Sequence, residues 1–261
     1  MEISCHTWAF NDLTLREALG TIARLGFRYV DIGAGKHFNP VHTIRNPREV
    51  AADILADLRT FNLKVGDVTL MLTRISAADD KQRQTEVNVF KALVPVLKAI
   101  GAEGVTVSPG RAYPSDDEAA RDRTVQSLTE MAQAAATAQL PFSIEPHLDS
   151  MATTPEAARY YLDRVPNLRL TIDWAHLLCG NAREKDIIDL LPHARHIQLR
   201  QAARAQLQLP FERGRLNIEK IIGQLYDADY QGHVCVEYLS EHKNWHGAVD
   251  VAIIPEVMRM R

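Results

Sequence analysis

The stretch SIEPHLDS, residues 143–150, places an acid and an imidazole at the end of an apolar run. Glu145 and His147 are two positions apart, and side chains at that spacing lie on the same side of an extended strand. Further along, the run TIDWAH ends with Asp173 and His176, close enough in sequence to reach one centre. Carboxylates and imidazoles at the ends of buried strands are groups that bind metal ions or move protons.

Two later strands carry groups of the same kind. The run RHIQLR brings Gln198 and Arg200, and the run VCVEYL brings Glu237. Because successive side chains of a strand point to opposite faces, each of these strands has one apolar and one polar set. The apolar set, which we expect to face the surrounding helices, comprises Ile144, Leu170, Ile172, Ile197, Leu199, Val234 and Val236. The polar set comprises Ser143, Glu145, His147, Thr171, Asp173, His196, Gln198, Arg200, Cys235 and Glu237.

The polar set indicates a functional site. A single acid at a strand end is usually a helix cap or half of an ion pair, but polar groups in phase on four consecutive strands are not explained by independent pairs. Burying unpaired carboxylates is costly, and a bound cation supplies the missing positive charge. We therefore expect Glu145 to lie where a metal ion or a substrate is held.

Eight short runs rich in β-branched residues alternate with amphipathic stretches. The predicted strands are residues 3–8, 29–33, 64–70, 104–110, 142–147, 169–176, 195–202 and 233–239. Between them, apolar residues recur at three- and four-residue spacing, which is typical of helices packed on a sheet. Helix starts are marked by a capping box of Thr14 with Glu17, and by Asn46 and Thr154, each followed by proline.

This alternation predicts a parallel sheet joined by crossover helices. Eight such units in 261 residues fit a closed (β/α)₈ TIM barrel, and we expect one domain over residues 1–261. A doubly wound open sheet is the alternative, but no Gly-rich turn follows the first strand and no linker divides the chain. In a parallel barrel the carboxyl ends of all strands meet at one mouth, which would bring the polar set together.

Composition narrows the class of protein. The chain is 46% hydrophobic and 24% charged with a net charge of −3, which is typical of a globular protein. Lysines and arginines are scattered and form no basic stripe, so we expect no nucleic-acid partner. The three cysteines form no CxxC pair, and the sequence shows neither a leader pattern nor an apolar run of bilayer length. We therefore expect a cytoplasmic protein without a membrane partner.

The motifs EPH, TIDWAH and VEY, in this order along the chain, resemble the xylose-isomerase-like TIM barrels. This superfamily includes sugar phosphate isomerases and epimerases, inosose dehydratases, and endonuclease IV and other proteins of the AP endonuclease family 2 type. Its metal ion is held by a glutamate after strand five, an aspartate after strand six, a histidine after strand seven and a glutamate after strand eight. By this resemblance, the metal-binding positions are Glu145, Asp173, Gln198 and Glu237.

Gln198 departs from the family pattern. The family's seventh strand usually reads HVHLKD, whereas this chain reads HIQLRQ from His196 to Gln201. An amide oxygen in place of the imidazole gives an all-oxygen shell, which suits one Mn²⁺ or Mg²⁺ ion better than zinc. Because His196 lies two residues, about 6.6 Å, deeper along the strand, we expect it to be a core or supporting residue.

The resemblance implies a metal-dependent sugar or polyol isomerase or epimerase that transfers a proton through an enediolate. Glu145 and Glu237 are the implied acid/base pair, and His147 and His176 are the implied substrate-positioning histidines. Arg200 is expected either to bind an acidic or keto-acid group of the substrate or to neutralise the nearby acids.

Residues near the first strands are also candidates for the site. We expect His6 and Trp8 to contact the substrate, with Trp8 stacking on the C–H face of a sugar. Asp31 is expected either to touch the substrate or to pair with Lys36. Trp174 and Trp245 are weaker candidates, because packing between helices is the commoner fate of tryptophan.

Three other functions stay open. A lyase of the inosose dehydratase type uses the same metal and enediolate but expels a β-hydroxyl. An endonuclease-IV-like phosphodiesterase needs several metals and a basic face, and neither is visible in the sequence. A non-catalytic sugar-binding barrel is supported only by Gln198, and the presence of Glu145 and Glu237 argues against it. The expected binding partner is a small sugar, polyol or keto acid. Barrels of this family often pair through their outer helices, so a homo-oligomer is also possible.

Overall fold

Eight parallel strands close into a barrel in which each strand pairs with its neighbours in sequence and the last pairs with the first. The computed structural model describes residues 1–261. The strands are β1 (Glu2–His6), β2 (Tyr29–Gly33), β3 (Lys64–Leu70), β4 (Val105–Val107), β5 (Phe142–Ile144), β6 (Arg169–Asp173), β7 (Ala194–Leu199) and β8 (His233–Val236). The predicted (β/α)₈ TIM barrel is confirmed.

Ten α-helices surround the barrel or lie in its loops. They are α1 (Leu15–Arg24), α2 (Pro40–Arg45), α3 (Pro47–Phe61), α4 (Asp80–Ala99), α5 (Glu118–Thr137), α6 (Pro155–Leu162), α7 (Trp174–Cys179), α8 (Glu184–Ile188), α9 (Ile218–Asp227) and α10 (Ile253–Met260). Short 3₁₀ helices occur at Thr7–Phe10, Thr73–Ser76, Leu191–His193, Phe211–Arg213 and Trp245–Gly247.

Two of the three predicted helix caps form. Thr14 and Glu17 make the reciprocal capping box of α1, and Thr154 accepts a hydrogen bond from the Ala157 amide at the start of α6. Asn46 does precede α3, but its side chain makes no cap. Its amide group instead donates to the carbonyl of His42 in the preceding helix, because α2 ends where α3 begins.

The apolar set of strand residues packs outward against the helices, as predicted. Ile144, Ile172, Ile197 and Val234 are buried in the main apolar cluster, together with residues of the outer helices. Burial of this layer supplies the main driving force for closing the barrel. It also fixes the opposite parity of each strand toward the interior, which is where the polar set lies.

The side chain of Arg195 places a positive charge in the lower part of the barrel interior. Strict alternation would point this side chain at the helices, but β6 and β7 shift register here, so that Leu170 pairs with Ala194 and Thr171 pairs with His196. The bulged Arg195 reaches into the barrel, where its guanidinium lies 2.8 Å from Asp67 Oδ1 and donates to hydroxyl groups of three further strands. Those hydroxyl groups belong to Thr106, Ser143 and Thr171.

Arg195→Met is expected to lower the free energy of unfolding by about 3 kcal/mol, because it leaves the buried carboxylate of Asp67 without its partner. Arg183→Met is the matched control, since Arg183 is 79% exposed and pairs with Asp186 at the surface; it should cost less than about 1 kcal/mol. Urea unfolding followed by circular dichroism measures both. Equal losses in the two variants would show that the interior pair contributes no more than a surface pair.

Candidate active site

Four neighbouring strands bring the predicted metal-binding side chains to the mouth of the barrel. Glu145 directly follows β5, Asp173 ends β6, Gln198 lies in β7, and Glu237 directly follows β8. All four are buried, and Asp173 is the register partner of Gln198. Strands β5 to β8 are shorter than predicted, so Glu145, Arg200 and Glu237 each occupy the position directly after a strand. The amides of Glu145 and Glu237 still donate to carbonyls of the neighbouring strands, Val107 and Leu199.

Asp173 is fixed by the helix that follows it. Its Oδ1 accepts hydrogen bonds from the amides of Ala175 at 2.7 Å and His176 at 3.2 Å, so the carboxylate caps α7. The prediction that residues 174–176 continue the strand is therefore wrong, because this cap starts a helix at Trp174. Only Oδ2 of Asp173 is left to face the centre of the site.

His176 comes to the site from the first turn of α7. Its Nδ1 accepts a hydrogen bond from the amide of Leu148 at 3.3 Å, so the ring hydrogen is on Nε2. That nitrogen lies 3.7 Å from Glu145 Oε1 and 3.8 Å from Asp173 Oδ2. Burial holds the pKa of His176 well below its usual value. The ring is therefore a neutral donor directed at two carboxylates.

His147 uses both of its ring nitrogens within the protein. Nδ1 lies 2.6 Å from the carbonyl oxygen of Leu148, which can only accept, so Nε2 accepts from the hydroxyl of Ser108 at 2.8 Å. The ring still borders the site cavity and lies edge-on to His176. Sequence reasoning missed Ser108, although its interior parity on the strand carrying Thr106 was a usable signal.

Arg200 lies between the acids. Its Nη1 donates to Glu237 Oε2 at 3.1 Å and to the Glu237 carbonyl at 3.0 Å, while its Nη2 forms an ion pair with Asp173 Oδ2 at 3.0 Å. Its Nε donates to the carbonyl of Leu207. Of the two roles expected for Arg200, these contacts correspond to neutralisation of the acids.

Three buried carboxyl groups of the site face one guanidinium. Burial, together with the charge of Asp173, raises the pKa of Glu145 to about 8. Burial also raises the pKa of Glu237 well above its usual value, although Arg200 partly offsets that effect. A bound cation would favour the ionised forms of both glutamates.

These residues fit a divalent metal ion. Glu145, Asp173 and His176 have ligand atoms within 4.8 Å of one another. The amide of Gln198 is fully buried, yet neither its oxygen nor its nitrogen has a hydrogen-bond partner, and such an oxygen is free to coordinate. Because His176 carries its hydrogen on Nε2, that nitrogen is not free to bind an ion in this tautomer, which leaves the carboxylate oxygens of Glu145 and Asp173 as ligand atoms of this group.

A cavity of about 540 Å³ opens above these groups, a size suited to a small polar ligand. Trp8 borders it from the β1 loop, held by a hydrogen bond from its Nε1 to the carbonyl of Ala34. Trp245 borders it from the β8 loop, whereas Trp174 is buried in the apolar core. Neither the number of residues between β8 and Trp245 nor the fact that residue 245 is a tryptophan predicts that it borders the cavity.

His6 lies below the cavity and does not border it. It is fully buried, and its Nε2 lies 3.3 Å from Thr69 Oγ1, while its Nδ1 accepts from the amide of Trp8. Burial lowers the pKa of His6 to about 3, so the ring is neutral. The structure thus places His6 as a support for Trp8.

The remaining candidates lie outside the cavity. Asp31 pairs with His196 at 2.6 Å, not with Lys36, and both partners are fully buried in the barrel interior. His196 therefore has the core position expected of it. Lys36 donates to the carbonyl of Asp12 at the surface.

The chain belongs to the xylose isomerase-like TIM barrel family, whose sequence model matches residues 19–255. No curated protein matches the chain in sequence. None of its helices has the length and apolar character needed to cross a membrane.

Solved structures with the same fold come from several enzymes. A probable 3-DHS dehydratase of petrobactin synthesis from Bacillus anthracis is 15% identical, with a TM-score of 0.77 over 100% of this chain and 97% of that chain. D-allulose 3-epimerase from Methylomonas sp. is 17% identical, with a TM-score of 0.77 over 100% and 95%. An AP endonuclease of family 2 from Brucella melitensis is 17% identical, with a TM-score of 0.74 over 91% and 93%. At such identities these likenesses establish the fold.

Adding Mn²⁺ at roughly 100 times its dissociation constant is expected to raise the melting temperature of the metal-stripped protein by about 5 °C or more, because the ion binds only the folded state. Asp173→Asn should abolish this rise, since asparagine still caps a helix but brings no charge. Thermal unfolding followed by circular dichroism measures both.

Asp117→Asn is the matched control, because Asp117 caps α5 through the amide of Ala120, outside the site. It should show the wild-type rise. A rise of equal size in Asp173→Asn, or none in the wild type, would contradict a metal site at this mouth.

Proposed function

We propose that the protein is a divalent-metal-dependent sugar or polyol isomerase or epimerase that transfers a proton through an enediolate. The observation that carries this proposal is the pair of buried carboxylates, Glu145 and Glu237, which border one cavity from β5 and β8. Carboxyl groups on opposite sides of one cavity can remove and return protons on a ligand held between them. Family membership supports the same class of reaction.

Mn²⁺ or Mg²⁺ is the proposed cofactor, held by Glu145, Asp173, Gln198 and Glu237. The all-oxygen donor set supports a hard cation over zinc. When bound, the ion would act as a Lewis acid that stabilises negative charge on the oxygens of the enediolate. Arg200 supplies a further positive charge and holds Glu237 and Asp173 in place through its two nitrogens.

The chain's own groups account for the proton transfers. Glu145 removes the proton from the carbon next to the substrate carbonyl, and Glu237 returns a proton from the β8 side. The Nε2–H of His176, fixed by the backbone amide of Leu148, is available to donate to a substrate oxygen. Trp8 offers an aromatic face to the C–H groups of a sugar.

The substrate is proposed to be a neutral sugar or polyol. A keto acid would need the Arg200 guanidinium as its partner, but that group is engaged by Asp173, Glu237 and Leu207. The cavity rim carries one acid and one base, Glu241 and Lys243, and so adds no net charge for an anionic ligand.

The three free cysteines support a cytoplasmic location.

Glu145→Gln and Glu237→Gln are each expected to reduce proton exchange at least about 10²-fold, because each removes a catalytic acid/base group while keeping side-chain size. Uptake of deuterium from D₂O into D-fructose, D-tagatose and D-allulose, followed by NMR with Mn²⁺ present, measures the effect. Glu219→Gln on the exposed face of α9 is the control and should exchange at the wild-type rate.

Near-normal exchange in either site variant would rule out the two-carboxylate mechanism. A product that has lost water, in place of a deuterated isomer, would favour the dehydratase alternative, which starts with the same proton removal. Absence of exchange by the wild type with every ketose would contradict the proposed reaction for this substrate class.

A further inference from the structure

One carboxylate oxygen joins the two loops that carry the proposed acid/base pair. Asp149 lies four residues after Glu145, in the loop after β5. Its Oδ2 accepts from Trp245 Nε1 at 2.9 Å and contacts His246 Nε2 at 2.7 Å. Both partners belong to residues 239–251, here called the β8 loop, which follows Glu237.

The β8 loop spans the mouth because it is also attached on the opposite side. The amide and hydroxyl of Ser240 both donate to the carbonyl of Trp8. Asn11 Nδ2 donates to Glu241 Oε2 at 3.1 Å. The loop is therefore fixed to the β1 loop at its start and to the β5 loop at Asp149. It is also bonded by the segment after β7, where the Leu207 amide donates to the His246 carbonyl and the Gln208 side chain donates to the carbonyls of Leu239 and Val249.

The indole N–H of Trp245 makes one hydrogen bond, to the Asp149 carboxylate, which is itself 65% exposed. The indole is half-buried, borders the cavity, and packs edge-on against His176 with ring centroids 5.3 Å apart. Because the indole N–H is bound to Asp149, the cavity receives the aromatic ring and not its polar edge. Trp8 is held in the same way, through its own N–H on the carbonyl of Ala34.

The β8 loop does not adopt this shape by local preference. Lys243, Asn244 and His246 all have positive φ, at 47°, 56° and 47°, and Asp149 itself has φ of 61°. Left-handed conformations cost L-residues about 1 kcal/mol each. The tertiary contacts must offset this cost, and the Asp149 carboxylate is the side chain that bonds the β8 loop to the β5 loop.

We propose that Asp149 is a positioning residue that holds Trp245 over His176, so that Trp245 forms a wall of the ligand pocket and sets its fit to the C–H face of a sugar. The ligand class in this statement rests on the proposed function, whereas the positioning of Trp245 does not. Loss of the carboxylate leaves the indole N–H and His246 without their shared acceptor, and the β8 loop relaxes toward solvent.

The first test needs no ligand. Acrylamide quenching of tryptophan fluorescence is compared between Asp149→Ala and the wild type, with Trp245→Phe in each background to isolate the signal of Trp245. Quenching of Trp245 should rise about twofold in Asp149→Ala, as expected when a loop loses its anchoring contact. Asp149→Asn keeps an acceptor oxygen and should restore the wild-type value.

The control is Asp227→Ala, an exposed carboxylate at the end of α9 that makes no hydrogen bond or ion pair. It should leave Trp245 quenching unchanged. Unchanged quenching in Asp149→Ala as well, or failure of Asp149→Asn to restore protection, would overturn the assignment.

The second test separates binding from chemistry. With the ketose that the wild type exchanges fastest, Asp149→Ala and Trp245→Ala should raise KM about tenfold, equivalent to about 1.4 kcal/mol, with kcat nearly unchanged. Asp149→Asn should recover most of that loss. A fall in kcat at unchanged KM would overturn the pocket-wall role. If the wild type exchanges no ketose, the proposed function fails, while the quenching comparison still decides whether Asp149 positions Trp245.

Discussion

The burial of three carboxylates at one end of the barrel is the constraint on which the rest of the site depends. In this setting each charge needs compensation, and the chain supplies one compensating charge, the guanidinium of Arg200 between Asp173 and Glu237. Burial, with the charge of Asp173 beside it, raises the pKa of Glu145, and a divalent cation at the mouth would favour the ionised carboxylate.

The same principle organises the barrel below the site. Asp67 is paired with Arg195 and Asp31 with His196, and all of these side chains lie in an interior that is usually filled with branched apolar residues. Each pair joins strands far apart in sequence, so it ties the barrel across its interior. Asp67 and Asp31 lie deep in the barrel and each has one basic partner, whereas the three acids at the mouth face one guanidinium.

Much of this arrangement could be predicted from the sequence because it follows from alternation along strands. The alternation of apolar Ile144 with polar Glu145 is enough to predict which face of β5 is buried under helices and which face points into the barrel. Two features could not be predicted. The bulge that turns Arg195 inward reverses local parity, and nothing in the sequence marks it. The contact of Asp149 with Trp245 joins residues 96 positions apart in two irregular loops, where no periodicity constrains which side chains meet.

The most direct test of the account is the anomalous diffraction of a crystal grown with MnCl₂. One manganese peak is expected at the mouth, within bonding distance of Glu145, Asp173 Oδ2, Gln198 Oε1 and Glu237. Coordination by Gln198 would explain why its buried amide has no partner in the protein. Absence of a peak, with Arg200 still placed between Asp173 and Glu237 and the Gln198 amide unligated, would contradict the claim that these acids form a metal-dependent catalytic centre.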